Sequence, residues 1–282
     1  MLKTFSITAA ERKSGVLSSA HLQAAVEMIR RDGYVALLDV ADPHHLDAIY
    51  RQMVSDIEKW NATSDKPVTG GNFTPSRRTE LLFPDILMNP LIAEILRELM
   101  GREISCGMYS ANVTMPGLGD QALHVDMAAH KAVADLSGPC GCMVVNFPLV
   151  DFTLENGATE FWPGTHRIMR EVGEVGVSAR LQEERRAISP PVYAVLPRGA
   201  ALIRDNRLWH RGVINRCDYV RPMIGMMLNG GYRPGEDSIE KIASVGPFPR
   251  QSAPFFCDNP LIYYNAEFVE EEITATPGHM PR

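Results

Sequence analysis

Apolar residues recur through the first hundred positions at the three- and four-residue spacing that gathers side chains on one face of a helix. Leu22, Val26 and Ile29 form one stripe, opened by Ser18 or Ser19 as the N-cap and stopped before Gly33. Leu46, Ile49, Met53 and Ile57 form a second, running from Asp42-Pro43 to about Trp60, since proline suits the first helical turn. A third opens at Pro90, carries Leu91, Ile95 and Leu99, and closes at Gly101. Between the first two, Tyr34 to Leu38 reads as a short strand. Beyond residue 104 the texture changes to short β-rich runs at 104–113, 143–152, 158–162, 192–196, 200–203 and 222–229. Turn signals separate them: Pro116-Gly117, Asn156-Gly157, Pro163-Gly164 and Pro197-Arg198-Gly199. Many short strands of this kind predict a mainly β fold, a double-sheet jelly roll, with the helices as its buttress. Residues 171–187, rich in Glu and Arg, read as a helical or irregular insertion. The expected organisation is one domain: helices over about 18–101, a jelly-roll core over about 104–230, and a proline-rich C-terminal extension over 231–282.

Within the β-rich half, His124 and Asp126 stand two apart, so on a strand both side chains face one way. His210, in Leu208-Trp209-His210, offers a second imidazole. Two nitrogens and one oxygen on one side of an octahedral ion form the facial triad of non-haem Fe(II) sites. An H-x-D pair alone occurs by chance in many chains, and its plain alternatives are a surface polar pair and a core histidine. Arg221 follows His210 by eleven positions, and a planar guanidinium is the side chain best shaped to grip a carboxylate.

His124-x-Asp126, the run from Asp151-Phe152-Thr153 through Glu155-Asn156-Gly157 to Pro163-Gly164-Thr165-His166, then Trp209-His210-Arg211-Gly212 and Arg221-Pro222, together resemble the phytanoyl-CoA dioxygenase family over roughly residues 30 to 230. The resemblance implies a double-stranded β-helix of the cupin-like kind and an Fe(II)/2-oxoglutarate-dependent dioxygenase. His124, Asp126 and His210 would hold the iron. The 2-oxoglutarate would be held at its far carboxylate by Arg221, with Thr159 and Gln121 assisting, and dioxygen would complete the reactants. In related halogenases a small residue replaces the carboxylate ligand, so Asp126 points to hydroxylation, desaturation or oxidative rearrangement. His166 is expected to hold a loop by hydrogen bonding, and Trp209 to wall the ligand beside it.

Residues 65–78 carry Gly70-Gly71 between Pro67 and Pro75, the punctuation of a lid or binding loop. Asn72 and Phe73 at its centre, with Met127 after the H-x-D pair, are the expected substrate contacts. Met115, Met226 and Met227 are further candidate pocket walls, because thioethers adapt to irregular apolar shapes. The compact length resembles family members acting on natural products such as meroterpenoids or alkaloids, so the expected substrate is a small, largely apolar biosynthetic intermediate. One alternative is an acyl-CoA 2-hydroxylase, for which Arg77-Arg78 and Arg185-Arg186 would have to face phosphates. A non-catalytic barrel that binds 2-oxoglutarate or metal is the alternative of another class.

Composition excludes more than it adds. A net charge of −6 with 22% charged residues gives no basic surface for nucleic acid or anionic lipid. No apolar run approaches the roughly 18 residues of a membrane span. Five cysteines, odd in number and sparse, fit a reducing compartment better than a disulfide framework, and Cys140-Gly141-Cys142 reads as free thiols. The expected setting is cytoplasmic, with a homodimer as the expected association by analogy to the family.

Overall fold

The computed structural model describes residues 2–101, 103–126, 141–168, 175–230, 246–256, 261–263 and 266–270. The chain opens with strand β1 (Thr4–Ser6), helix α1 (Ala9–Ser14), α2 (Ser19–Asp32), β2 (Tyr34–Leu38) and α3 (Pro43–Thr63). It continues with β3 (Gly71–Phe73), α4 (Pro84–Leu87), α5 (Pro90–Met100), β4 (Ile104–Thr114) and β5 (Cys142–Pro148). Then come β6 (Glu160–Phe161), α6 (Ala179–Ile188), β7 (Val192–Tyr193), β8 (Ala201–Asp205), β9 (His210–Arg211) and β10 (Arg221–Gly230). Last are β11 (Phe248–Pro249), β12 (Ile262–Tyr263) and β13 (Phe268–Val269).

The expected helices end where local chemistry ends them. In α2 the Ser18 hydroxyl accepts from the His21 amide, and Gly33 closes the helix at φ 87°, a left-handed conformation that costs other residues energy. Asn89 caps α5 by accepting from the Leu91 and Ile92 amides ahead of Pro90. Helix α2 packs on β2, and α5 on β4 and β10. Their apolar stripes merge with Val35, Leu37, Val145, Ile203, Ile224 and neighbours into the main core.

A large sheet runs β1-β2-β8-β5-β10-β4-β12, with β3 paired to β4 at its edge, and a small sheet runs β7-β6-β9. The strand β2 is buried on both faces: Val35 and Leu37 enter the main core while Tyr34 and Ala36 enter a second cluster with Phe161 and Leu202. Strand β10 separates two environments by simple alternation. Ile224, Met226 and Leu228 join the core, while Arg221, Met223, Gly225 and Met227 face a cavity that residues of the small sheet also line. Several expected strands are shorter in the structure. The run 143–152 stops at Pro148, and Phe152 beyond it makes only an isolated bridge to Leu196. Among the described residues no helix is long and apolar enough to cross a membrane.

Candidate metal centre and co-substrate pocket

The segment around His124 is threaded between two backbones. His124 exchanges both amide–carbonyl bonds with His210, at 3.0 and 2.9 Å, while Val125 donates to Val175 and Val177 to Leu123. Leu123 and Val125 point to one side, into an apolar cluster with Trp162, Val177 and Trp209. The alternation therefore sends His124 and Asp126 to the other side, where His210 arrives from its paired backbone. One ligand-type atom from each of the three lies within 4.8 Å of the other two. Asp126 Oδ1 stands 3.2 Å from His210 Nε2 and 3.9 Å from His124 Nε2.

Each ring is also oriented by a backbone carbonyl. His124 Nδ1 lies 2.8 Å from the Ala122 carbonyl, and His210 Nδ1 lies 2.9 Å from that of Leu208. A carbonyl only accepts, so each Nδ1 is held as a donor, and Nε2 is the ring atom each histidine turns toward the shared point. Burial, with His210 beside it, pushes the His124 imidazole down and keeps it neutral. Burial alone would raise the Asp126 carboxyl, but Arg204 and His210 hold it well below the ordinary carboxylate range. Two imidazoles and one carboxylate are the donor set that a divalent non-haem iron takes.

The cavity in front of these groups measures about 370 Å³. At one end Arg221, 1% exposed, donates through Nη2 to Thr114 Oγ1 at 2.6 Å and to the Gly157 carbonyl at 2.9 Å. Its Nε reaches the Asn156 carbonyl at 3.4 Å, and its charge lies 4.6 Å from the centre of the Phe152 ring. Its Nη1 and the hydroxyl of Thr159 are buried without a hydrogen-bond partner. Two unpaired donors beside an uncompensated cation are costly in isolation and match a carboxylate. Burial pushes the guanidinium down to about 10, so it stays charged at neutral pH. The Asn156-Gly157 turn that brings these groups together requires its glycine: φ is +83°, and a Cβ would sit 2.3 Å from the Val213 carbonyl. Gln121 lines the same cavity. Its Oε1 accepts from the Gly212 amide at 2.7 Å, so the side-chain NH₂ is turned away from that bond as a donor.

The substrate contacts are redistributed. Asn72 lines the cavity and accepts from Asn112 Nδ2 at 2.8 Å. Phe73, next along β3, points the opposite way and is wholly buried in the main core, so it is no substrate contact. The 65–78 segment is not a free flap either: β3 pairs with β4 in the register Gly71↔Val113 to Phe73↔Ala111, and Ser76 and Arg77 are buried. Met127 lies outside the described residues, as do Cys140 and residues 171–174 of the expected insertion, whose remainder holds most of α6. Met227 lines the cavity, with Met108 and Met223, but Met226 is in the core and Met115 packs against it. The aromatic ring beside the second histidine is Phe161, stacked on His210 at 6.1 Å between centroids. Trp209 alternates away to pack against Trp162. His166, as expected, is buried and bonded to a backbone carbonyl, that of Arg30.

One charged cavity residue had no place in the sequence reading. Arg204, 4% exposed, ends the apolar run Ala201-Leu202-Ile203 and sends Nη2 to Asp126 Oδ2 at 2.5 Å. A cation closing an otherwise apolar strand six residues before His210 was the available signal.

The sequence pattern of the phytanoyl-CoA dioxygenase (PhyH) family matches residues 29–223. The dioxygenase trt7 of Aspergillus terreus is 28% identical over 223 residues, which cover 72% of this chain and 72% of its own length. The Fe(II)/2-oxoglutarate-dependent dioxygenase nvfF of Aspergillus novofumigatus is 30% identical over 213 residues, 67% of this chain and 65% of its own length. Among solved structures, the non-heme alpha ketoglutarate dependent carbocyclase SnoK from nogalamycin biosynthesis aligns with a TM-score of 0.56 at 22% identity, covering 82% of this chain and 92% of its own. The epimerase SnoN, solved with Fe3+, alpha ketoglutarate and nogalamycin RO, gives 0.59 at 19% identity, covering 81% and 93%. At these identities the two structures share the fold.

Proposed function

The chain belongs to the phytanoyl-CoA dioxygenase family, and from that premise we propose that it is a cytoplasmic Fe(II)/2-oxoglutarate-dependent dioxygenase that oxidises a small, largely apolar natural-product intermediate. The observation that carries this reading is the meeting of two imidazole nitrogens and one carboxylate oxygen in a cavity with two buried, unpaired donors. The relatives named above are dioxygenases of fungal origin, and the structural neighbours are a carbocyclase from nogalamycin biosynthesis and an epimerase solved in complex with nogalamycin RO.

When bound, the metal with 2-oxoglutarate and dioxygen supplies the oxidising chemistry, in which the co-substrate loses carbon dioxide to become succinate and a substrate C–H bond is oxidised. The chain's own residues supply binding and orientation. His124, Asp126 and His210 are the iron ligands in this reading, each ring oriented by its Nδ1 contact to a backbone carbonyl. Arg221 and Thr159 hold the far carboxylate of 2-oxoglutarate, and Gln121 donates its amide toward the same co-substrate. Met108, Val144, Met227 and Leu118 give the remaining space an apolar wall against water, with the Asn72–Asn112 amide pair as a polar point. An acyl-CoA is disfavoured because one arginine of each candidate doublet is engaged internally. Arg77 is buried against Phe248 and the Pro247 and Tyr109 carbonyls, and Arg185 is bonded to the Pro163 carbonyl.

Iron-dependent succinate formation from 2-oxoglutarate tests the proposal. The wild type should produce succinate, and His124→Ala and His210→Ala should not. Undiminished succinate from His210→Ala would remove that residue from the metal site.

A further inference from the structure

Resting on the reading just given, we propose that Arg204 is a substrate-recognition residue and that the oxidised molecule carries an anionic oxygen, in the simplest case a carboxylate, seated against it. The guanidinium is fixed on two of its three nitrogens. Nη2 is bonded to Asp126 Oδ2, and Nε donates to Asn146 Oδ1 at 3.3 Å. The third, Nη1, is buried and has no hydrogen-bond partner. Arg204 lines the cavity while its side chain is 5% exposed. A fork held this rigidly loses little freedom on binding a planar, two-oxygen acceptor.

Charge points the same way. Among the described residues, the ionisable groups lining the cavity are Arg204, Arg221, Asp126 and the two histidines. Leaving the imidazoles out of the count, two guanidiniums face one carboxylate, a surplus of one fixed cation. A divalent iron and a dianionic 2-oxoglutarate cancel each other, so loading the site does not remove that surplus. A buried cavity keeps an uncompensated charge only at high cost, and a monoanionic ligand cancels it. Space is provided as well. Gly225 leaves the floor of the cavity open where the Asn112 and Asn146 amides approach, each 3.4 Å from where a Cβ would be. The neutral Asn72–Asn112 pair supplies no competing cation on the far wall. Arg204 stands one hydrogen bond from a proposed iron ligand, so the anion would sit close to the carbon that is oxidised.

The test uses the whole protein loaded with Co(II) in place of iron and saturated with 2-oxoglutarate. Benzoate and benzamide are the probes, equal in shape and different in charge, and their dissociation constants are read by ligand-observed NMR. Benzoate should bind at least tenfold more tightly than benzamide. Arg204→Met should bring the ratio close to one, and Arg204→Lys should restore part of it. Co(II) titration of each variant shows whether the metal site survives the change. Equal binding of the two probes, or binding of neither, by the wild type overturns the proposal. So does displacement of benzoate by added 2-oxoglutarate, which would place it on Arg221. A large loss of 2-oxoglutarate affinity in Arg204→Met with benzoate binding intact would assign Nη1 to the co-substrate instead. Failure of the wild type to take up Co(II) and 2-oxoglutarate is a separate result that counts against the dioxygenase reading itself.

Discussion

Replacing Arg221 by alanine isolates the co-substrate grip from the metal site. In the free protein this guanidinium is bonded to Thr114 Oγ1 and the Gly157 carbonyl through Nη2, and to the Asn156 carbonyl through Nε. Nη1 remains unpaired. Those contacts orient the fork, so its unpaired side is pre-set for a ligand. Losing one partner of a buried, hydrogen-bonded charge pair costs about 2–5 kcal/mol, and about 1.4 kcal/mol is tenfold in affinity. The 2-oxoglutarate affinity of Arg221→Ala should therefore fall roughly thirty-fold to several-thousand-fold. Arg221→Lys should recover only part, because a point charge cannot reproduce the fork. Anaerobic calorimetric titration of 2-oxoglutarate into Co(II)-loaded protein measures this, with Co(II) affinity as the control. Metal binding should change little, since the Arg221 guanidinium bonds to Thr114, Asn156 and Gly157 rather than to His124, Asp126 or His210. Equal 2-oxoglutarate titrations for wild type and Arg221→Ala would refute the reasoning. A parallel loss of Co(II) would show that the residue acts through the fold instead.

Thr159→Val should have opposite effects with and without co-substrate. The hydroxyl is buried and unpaired, so removing it should leave the melting temperature of the ligand-free protein unchanged or higher, while 2-oxoglutarate binding weakens by about 1.5–3 kcal/mol, the worth of a hydrogen bond to a charged group; weaker stability with unchanged binding would contradict this. Asp126→Gly should abolish hydroxylation-type turnover and open a position for halide, read as a chloride-dependent change in the spectrum of the Co(II) protein; a spectrum indifferent to chloride would count against Asp126 as a ligand. Gly157→Ala should destabilise the protein by more than about 1 kcal/mol in chemical denaturation, because strain at positive φ adds to the clash with the Val213 carbonyl. Limited proteolysis should find residues 71–73 protected without substrate, since β3 is already paired to β4; cleavage there that substrate suppresses would restore a closing lid.

Much of this molecule was legible in its sequence where local chemistry decides. Ser18, Gly33, Pro43, Pro90 and Gly101 bound helices whose ends fall at or close to the expected residues, because caps and proline act within one turn. The strand Tyr34–Leu38 was readable for the same reason. The short strands were overextended: β6 keeps only Glu160–Phe161 and β7 only Val192–Tyr193, since a ladder ends where its partner turns away. Partners are set by tertiary contact. The convergence of His124, Asp126 and His210 was anticipated from spacing and family resemblance, but the side each neighbour takes was not. Phe73 and Trp209 were expected at the site, and strand alternation sends both into apolar clusters. Arg204 escaped notice because nothing near it in sequence announces Asp126, 78 positions earlier.

The central claim is that His124, Asp126 and His210 hold iron in front of a 2-oxoglutarate bound through Arg221. Anaerobic addition of Fe(II) and then 2-oxoglutarate, followed by visible spectroscopy, tests it most directly. The account predicts a weak metal-to-ligand charge-transfer band that saturates at equimolar co-substrate, bleaches when oxygen is admitted, and is absent from His210→Ala. A wild type that shows no such band, or a His210→Ala protein that shows it undiminished, would contradict the account.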